Sequence, residues 1–187
     1  MRKDSVMAKI GVLLSGCGVY DGSEIHEAVL TLLFLDRAGA EIICVAPDVD
    51  QFDVVNHMTG KNQNEKRNVL AESARIARGN IRDLKTVKAS DIDGIIIPGG
   101  FGAAKNLSNF AVKGKDAEVN PETRRLLKEL HAAGKPIGAI CIAPATLTRT
   151  LAEKSPQVTI GNDPGTAGAI KAMGGIHHNC SVDQIHV

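Results

Sequence analysis

Short apolar runs that stop at glycine or proline, each answered by a segment with helical spacing, constrain this chain more than any other feature. Ile10 to Leu14 is such a run, closed by the Gly-rich stretch Ser15 to Gly22. Ser23 is then placed to cap a helix in which Ile25, Ala28, Val29, Leu32 and Leu33 recur every three or four residues until Gly39. Glu41 to Ala46 reads as a second strand stopped by Pro47, and Gly94 to Ile97 before Pro98 as an apolar run suited to burial on both faces. Between them, Val69 to Ala77 predicts a helix. Asn120-Pro121-Glu122 supplies a helix cap, a proline at the first helical position and an early acid; Gly134 closes that helix and Pro136 leads into a strand over Ile137 to Ile140. Strands alternating with helices call for a parallel sheet with right-handed crossovers and helices on both faces, and such α/β folds bind ligands at the carboxyl ends of the strands. The stretch Gly99 to Asn120 reads as a loop long enough to be functional.

With 187 residues, 43% of them hydrophobic, the chain predicts one domain over 1–187, with residues 1–6 as a leader before Met7-Ala8-Lys9. Lys and Arg number 22 against 21 Asp and Glu, intermingled, so neither a nucleic-acid groove nor an anionic membrane is indicated as partner. No apolar run approaches the roughly 18 residues of a membrane span. The four cysteines, at 17, 44, 141 and 180, are irregularly spaced and predict reduced thiols in a cytoplasm.

Cys141 carries the chemistry. It follows the strand Ile137 to Ile140 and precedes a helix that Pro144 can open, as in a strand-turn-helix nucleophile elbow, and the residues two positions to either side are the small Ala139 and Ala143. A buried cysteine acting as a small hydrophobe is the plain alternative. The free amides and dipole of the following helix predict a depressed thiol pKa. A thiolate adding to a carbonyl creates an oxyanion, for which the amide of Ile142 and one from Gly99-Gly100 are the available donors. Glu24, at the start of the first helix, is the carboxyl group expected to reach Cys141 and exchange a proton with it, although an acid there also simply suits the helix dipole. The loop S-G-C-G-V-Y-D-G misses a dinucleotide fingerprint because Asp21 stands where glycine is needed. Cys17 is a candidate resolving thiol or an inert turn residue. His177-His178 with Cys180 lacks a matched second pair of ligands, so no metal is assigned. Lys105, Lys113 and Lys115 read as a solvated surface.

Taken together, K-I-G-V-L-L-S-G-C-G-V-Y-D-G-S-E-I-H-E, D-V-V-N-H-M-T-G, I-I-I-P-G-G-F-G-A-A-K-N-L and G-A-I-C-I-A-P resemble the bacterial isoprenoid-biosynthesis proteins with an amidotransferase-like domain. These fall within the class I glutamine amidotransferase-like superfamily that includes the PfpI peptidases and the Parkinson-disease-associated deglycase. The resemblance implies a three-layer flavodoxin-like sandwich with a mostly parallel central sheet, and a homodimer. It also implies a reactive Cys141 supported by Glu24, with Gly100 and Ile142 as oxyanion donors. The implied activity is a cofactor-independent glyoxalase reaction on small dicarbonyls, with a link to isoprenoid production. Two departures stand out. Relatives with a Cys-His pair carry histidine after the next strand, where this chain has Gly161-Asn162, leaving His177 as the candidate auxiliary imidazole. Ser181 to Val187 reads as the start of a strand, where the family continues through a further turn and a terminal helix.

The residues and the resemblance point to Cys141 adding to the aldehyde carbon of glyoxal, with proton transfer and hydrolysis giving glycolate. A non-catalytic redox-sensing or regulatory protein using the same thiol is the alternative. A glutaminase is disfavoured by Gly161-Asn162.

Overall fold

The computed structural model describes residues 7–187; the leader expected at 1–6 lies outside the described residues. The elements run β1 (Lys9–Leu13), α1 (Ile25–Arg37), β2 (Glu41–Ala46), a short hairpin of β3 (Val55–Asn56) and β4 (Lys61–Asn62), α2 (Val69–Ile76), β5 (Arg82–Asp83) and β6 (Gly94–Ile97). They continue through α3 (Phe101–Lys105), α4 (Phe110–Lys113), α5 (Pro121–Ala132), β7 (Ile137–Ala139), α6 (Ala143–Thr150), β8 (Gln157–Val158), α7 (Pro164–Ala172) and β9 (Ile176–His177). Strands β5, β2, β1, β6 and β7 pair in that order, all parallel, into one sheet. This is the α/β architecture that the alternation of runs requires.

Successive residues of a strand point to opposite faces, and the two cores divide accordingly. Leu13, Val45, Ile95 and Ile97 pack with Leu126, Leu127 and Leu130 of α5 and with Ala103, Ala143 and Leu147. Val12, Leu14, Cys44 and Ala46 face the other way, against Ala28 of α1 and Val69 of α2. A third cluster of Ala145, Val158, Ile170 and Met173 joins α6 to α7, with Ile142 and Ile160 packed on it.

Helix α5 starts as its sequence dictates. The Asn120 side chain accepts from the amides of Glu122 and Thr123 at 3.0 and 3.1 Å, and Pro121 fills the first turn where no amide partner is missed. Helix α1 departs from expectation in two ways. Its cap is Glu24, not Ser23; the Ser23 hydroxyl instead accepts from the Ser15 amide at 2.8 Å, inside the turn that follows β1. Its apolar stripe is also rotated. Ala28 and Thr31 are buried, whereas Ile25, Val29, Leu30, Leu33 and Phe34 are exposed. Leu30 and Phe34, with Ile96 and Ile140 from the adjacent strands, line an open apolar groove of about 440 Å³ that also reaches Glu27.

The stretch after Gly99 folds into α3, α4 and a 3-10 turn before Asn120, so it is structured throughout. Residues 181–187 form a turn and no strand. The Ser181 hydroxyl bonds Asp183 and the Gln184 amide returns to the Ser181 carbonyl, a local closure that competes with strand pairing. Among the described residues, no helix is long and apolar enough to cross a membrane.

Leu127 is fully enclosed between α5 and the sheet. Its replacement, Leu127→Ala, is expected to lower unfolding free energy by about 2–5 kcal/mol through the lost burial and the residual cavity, read as a shift in denaturation midpoint at unchanged slope.

Candidate active site

The site forms where β6 and β7 end. β7 runs out at Ala139, Ile140 still donates its amide to the Ile97 carbonyl at 3.0 Å, and the chain then turns at once into α6. Cys141 makes that turn with φ of 59°, one of three non-glycine residues in the left-handed region among those described. Such a conformation costs a side-chain-bearing residue on the order of 1–3 kcal/mol and persists only where its surroundings enforce it. The enforcement is visible. The Ala143 amide closes onto the Ile140 carbonyl at 3.0 Å, and fully buried Ala143 and Ala145 fix the start of α6 in the core. Cys141 itself remains exposed.

Next to it, Pro98 ends the β6 run and Gly99-Gly100 bring bare backbone against the elbow. A β-carbon on Gly99 would lie 2.5 Å from the Cys141 β-carbon and 2.7 Å from Oε2 of Glu27. Gly100 has φ of 88°, and a β-carbon there would strike the Glu24 amide and the Gly22 carbonyl. The amides of Gly100 and Ile142 face the Cys141 sulfur and pull its thiol pKa down.

The carboxyl group at the sulfur is a different one from that expected. Glu24 turns back on its own helix: Oε2 accepts from the Glu27 amide at 2.7 Å and Oε1 lies 2.7 Å from Nδ1 of His26. One turn later, Glu27 points inward and accepts from the Gly99 amide at 2.7 Å through Oε2, which brings its carboxyl group beside the Cys141 thiol. The cap position holds Glu24 at the helix end, and three residues further along Glu27 lies over the strand ends. Thr31, buried four residues after Glu27, shares its helix face, and that burial is what marks Glu27 as inward-facing.

Although the residue as a whole is exposed, partial desolvation of its sulfur and the charge of Glu27 push the Cys141 thiol up, against the downward pull of the Gly100 and Ile142 amides. The depressed thiol expected from the helix start alone is thus corrected: the neighbouring acid outweighs the α6 amides. Burial also pushes Glu27 up; the Gly99 amide opposes it, the Glu24 charge adds to it, and the bond with Cys141 opposes it. Each group raises or is raised by the other's environment, so the titrations of Cys141 and Glu27 are coupled.

The remaining candidates lie elsewhere. Cys17 has Glu72, Arg75 and Asp21 as its charged neighbours, and burial raises its thiol. Asp21 accepts from the Val55 amide at 2.7 Å and so ties the turn after β1 to the β3–β4 hairpin. The Nε2 of His177 accepts from the Ile160 amide at 3.2 Å; burial, then Lys171 and His178, hold this ring below the usual histidine range. Ile160 shares a cluster with Ile142, so His177 anchors the corner behind the elbow, and the groups acting on the sulfur are Glu27, Gly100 and Ile142. His178 stacks on His186 with ring centres 3.8 Å apart. Among the described residues no group of three or more His, Cys, Asp or Glu side chains is arranged to hold a metal. Lys105 is no solvated surface residue: its Nζ lies 2.7 Å from Asp53 Oδ2 and also donates to the Tyr20 carbonyl. Lys113 and Lys115 do form exposed ion pairs.

A parallel α/β sheet with a cysteine elbow, a carboxyl group against its sulfur and two converging amides defines a class of amidotransferase-like domains. The chain belongs to the DJ-1/PfpI family, whose pattern matches residues 17–164. It is 52% identical over 190 residues to the mitochondrial glutamine amidotransferase-like class 1 domain-containing protein 3 of Homo sapiens, an alignment covering 96% of this chain and 70% of that protein. The mitochondrial ES1 protein of Danio rerio is 38% identical over 186 residues, covering 90% of this chain and 68% of that protein. The crystal structure of an isoprenoid biosynthesis protein with an amidotransferase-like domain from Ehrlichia chaffeensis superposes with a TM-score of 0.86 at 44% identity, covering 92% of this chain and 79% of that one.

Since Cys141 bears a left-handed backbone, Cys141→Gly is expected to be more stable than Cys141→Ala by about 1 kcal/mol. Thermal unfolding of the two variants checks this; equal midpoints would mean that the elbow stores no strain.

Proposed function

We propose that this protein is a cofactor-independent glyoxalase-like enzyme that converts small dicarbonyls, with glyoxal going to glycolate. The observation that carries the reading is the contact of Glu27 with the Cys141 sulfur, inside a pair of amide donors. The sulfur, as thiolate, forms a C–S bond to one aldehyde carbon, and Glu27 delivers the shared proton to the resulting oxyanion beside the Gly100 and Ile142 amides. Glu27, now a carboxylate, removes the hydrogen from that carbon as a proton and returns it to the neighbouring carbon, while the hemithioacetal hydroxyl proton passes to the neighbour's carbonyl oxygen through the enediol. This leaves a thioester beside a hydroxymethyl group. Water then cleaves the thioester to glycolate and regenerates the thiol. One carbon is oxidised and its neighbour reduced, so no outside electron carrier is consumed.

The row of exposed apolar residues on α1 supports a homodimer. The four described cysteines are free, which suits a reducing compartment such as the cytoplasm. The names of relatives in Homo sapiens and Danio rerio place those proteins in mitochondria, a compartment that meets the same condition. The structural neighbour from Ehrlichia chaffeensis, an isoprenoid biosynthesis protein, supports an association with isoprenoid production. A redox sensor is the second reading; the raised thiol works against it, since easily oxidised cysteines are exposed thiolates.

Purified protein is expected to consume glyoxal and release glycolate with no added glutathione. Cys141→Ser should abolish turnover with the fold intact, and Glu27→Gln should reduce kcat by 10²-fold or more. Full turnover in Cys141→Ser would reject the mechanism. Ammonia release from glutamine would redirect it to amide hydrolysis, and a peroxide-dependent mass gain on Cys141 without turnover would favour sensing. Because one proton is shared by Cys141 and Glu27, kcat/KM should rise with pH through the first ionisation of the pair and fall through the second, once no proton remains for the oxyanion.

A further inference from the structure

Glu24 and His26 lie one step behind the reacting groups, and the mechanism above leaves both unused. Their geometry is closed on itself. The Glu24 amide donates to the Gly99 carbonyl at 2.9 Å, the Gly99 amide to Glu27 Oε2 at 2.7 Å, and the Glu27 amide to Glu24 Oε2 at 2.7 Å. Three residues thus form a ring of three hydrogen bonds that spans the start of α1 and the end of β6. The ring holds the Glu27 carboxyl and, one residue beyond Gly99, the Gly100 amide that faces the sulfur. His26 stands outside it and contacts only the free oxygen of Glu24, with 89% of its side chain exposed against 20% for Glu24.

We propose that Glu24 is the positioning residue of this site and that His26 tunes it: Glu24 locks Glu27 and the Gly99 peptide in place, its negative charge holds the shared proton on the Cys141–Glu27 pair, and a protonated His26 offsets that charge. This inference rests on the pairing of Cys141 with Glu27.

The electrostatics have a definite sign. The titratable groups facing Glu27 are Glu24 from its own helix and Cys141 from the elbow, while the Gly99-Gly100 turn presents backbone alone. Removing the shared proton turns the pair's one negative charge into two, and Glu24, whose charge raises Glu27, disfavours that loss. Burial tends to raise Glu24 itself, but the bonds from His26 and the Glu27 amide outweigh it and hold the carboxyl below its ordinary range, so the repelling charge is present at neutral pH. The bond to Glu24, together with its charge, raises His26, so the offsetting cation persists to higher pH than on a free imidazole. A merely structural cap would behave differently. It needs only an oxygen at position 24 to accept from the Glu27 amide, and is indifferent to charge.

Two variants separate these roles. Glu24→Gln keeps the acceptor and removes the charge; His26→Gln keeps a polar side chain and removes the cation. The readout is the rate of iodoacetamide labelling of Cys141 across pH, followed by peptide mass mapping, which needs no turnover. The midpoint is expected to move to lower pH in Glu24→Gln and to higher pH in His26→Gln, with thermal midpoints near that of the parent. Unmoved midpoints, or movement in the same direction in both, would overturn the inference. Glu27→Gln is the control: should it leave the labelling profile unchanged, the pairing of Cys141 with Glu27 fails, and this inference with it. If Glu24→Gln does not fold, His26→Gln decides alone, and the absence of an upward shift rejects the tuning role.

Discussion

The approach of one bare peptide, Gly99, to the elbow is the constraint on which the site depends. At that distance there is no room for a β-carbon between the Cys141 β-carbon and the Glu27 carboxyl, so the two reacting groups meet only because nothing stands between them. From that contact the rest follows in order. The Gly99 amide fixes Glu27, the next amide turns to the sulfur, and the carbonyl in between anchors the first residue before α1. Two strand ends and one helix start are thereby joined through main-chain atoms, which hold geometry more tightly than side chains of several rotatable bonds.

Much of the fold could be read in advance because it is written in period and punctuation. β1, β2 and β6 are apolar runs ended by glycine or proline, β7 is led in by Pro136, and α5 carries its own cap in Asn120-Pro121. β5 could not be read: Arg82–Asp83 is two polar residues long, and only its pairing beside β2 makes it a strand. β8 and β9 are equally short. The rotation of α1 was hidden for another reason. Its residues are apolar nearly all round, so spacing alone could not say which face meets the sheet.

The same ambiguity misdirected the acid. Glu24 and Glu27 both stand at the head of α1, and a choice between them requires the azimuth of that helix, which Ala28 and Thr31 reveal once they are seen to be buried. Cys141, Gly100 and Ile142 were accessible because an elbow is a local feature of chain order: strand, small residue, nucleophile, helix. The ionisation state of the sulfur was not, because it is a balance between amides that the sequence places and a carboxyl group that only the folded molecule brings near.

The closed ring at the start of α1 has a further consequence for motion. Helix ends fray before helix centres do, with local openings that cost far less than unfolding the sheet. Here the fraying turn is the one that carries Glu27, so a brief loosening of residues 24 to 27 would release the acid from the thiol while the elbow, embedded in the core through Ala143 and Ala145, stays in place. Warming would then loosen the site by steps, Glu27 going first and Cys141 last.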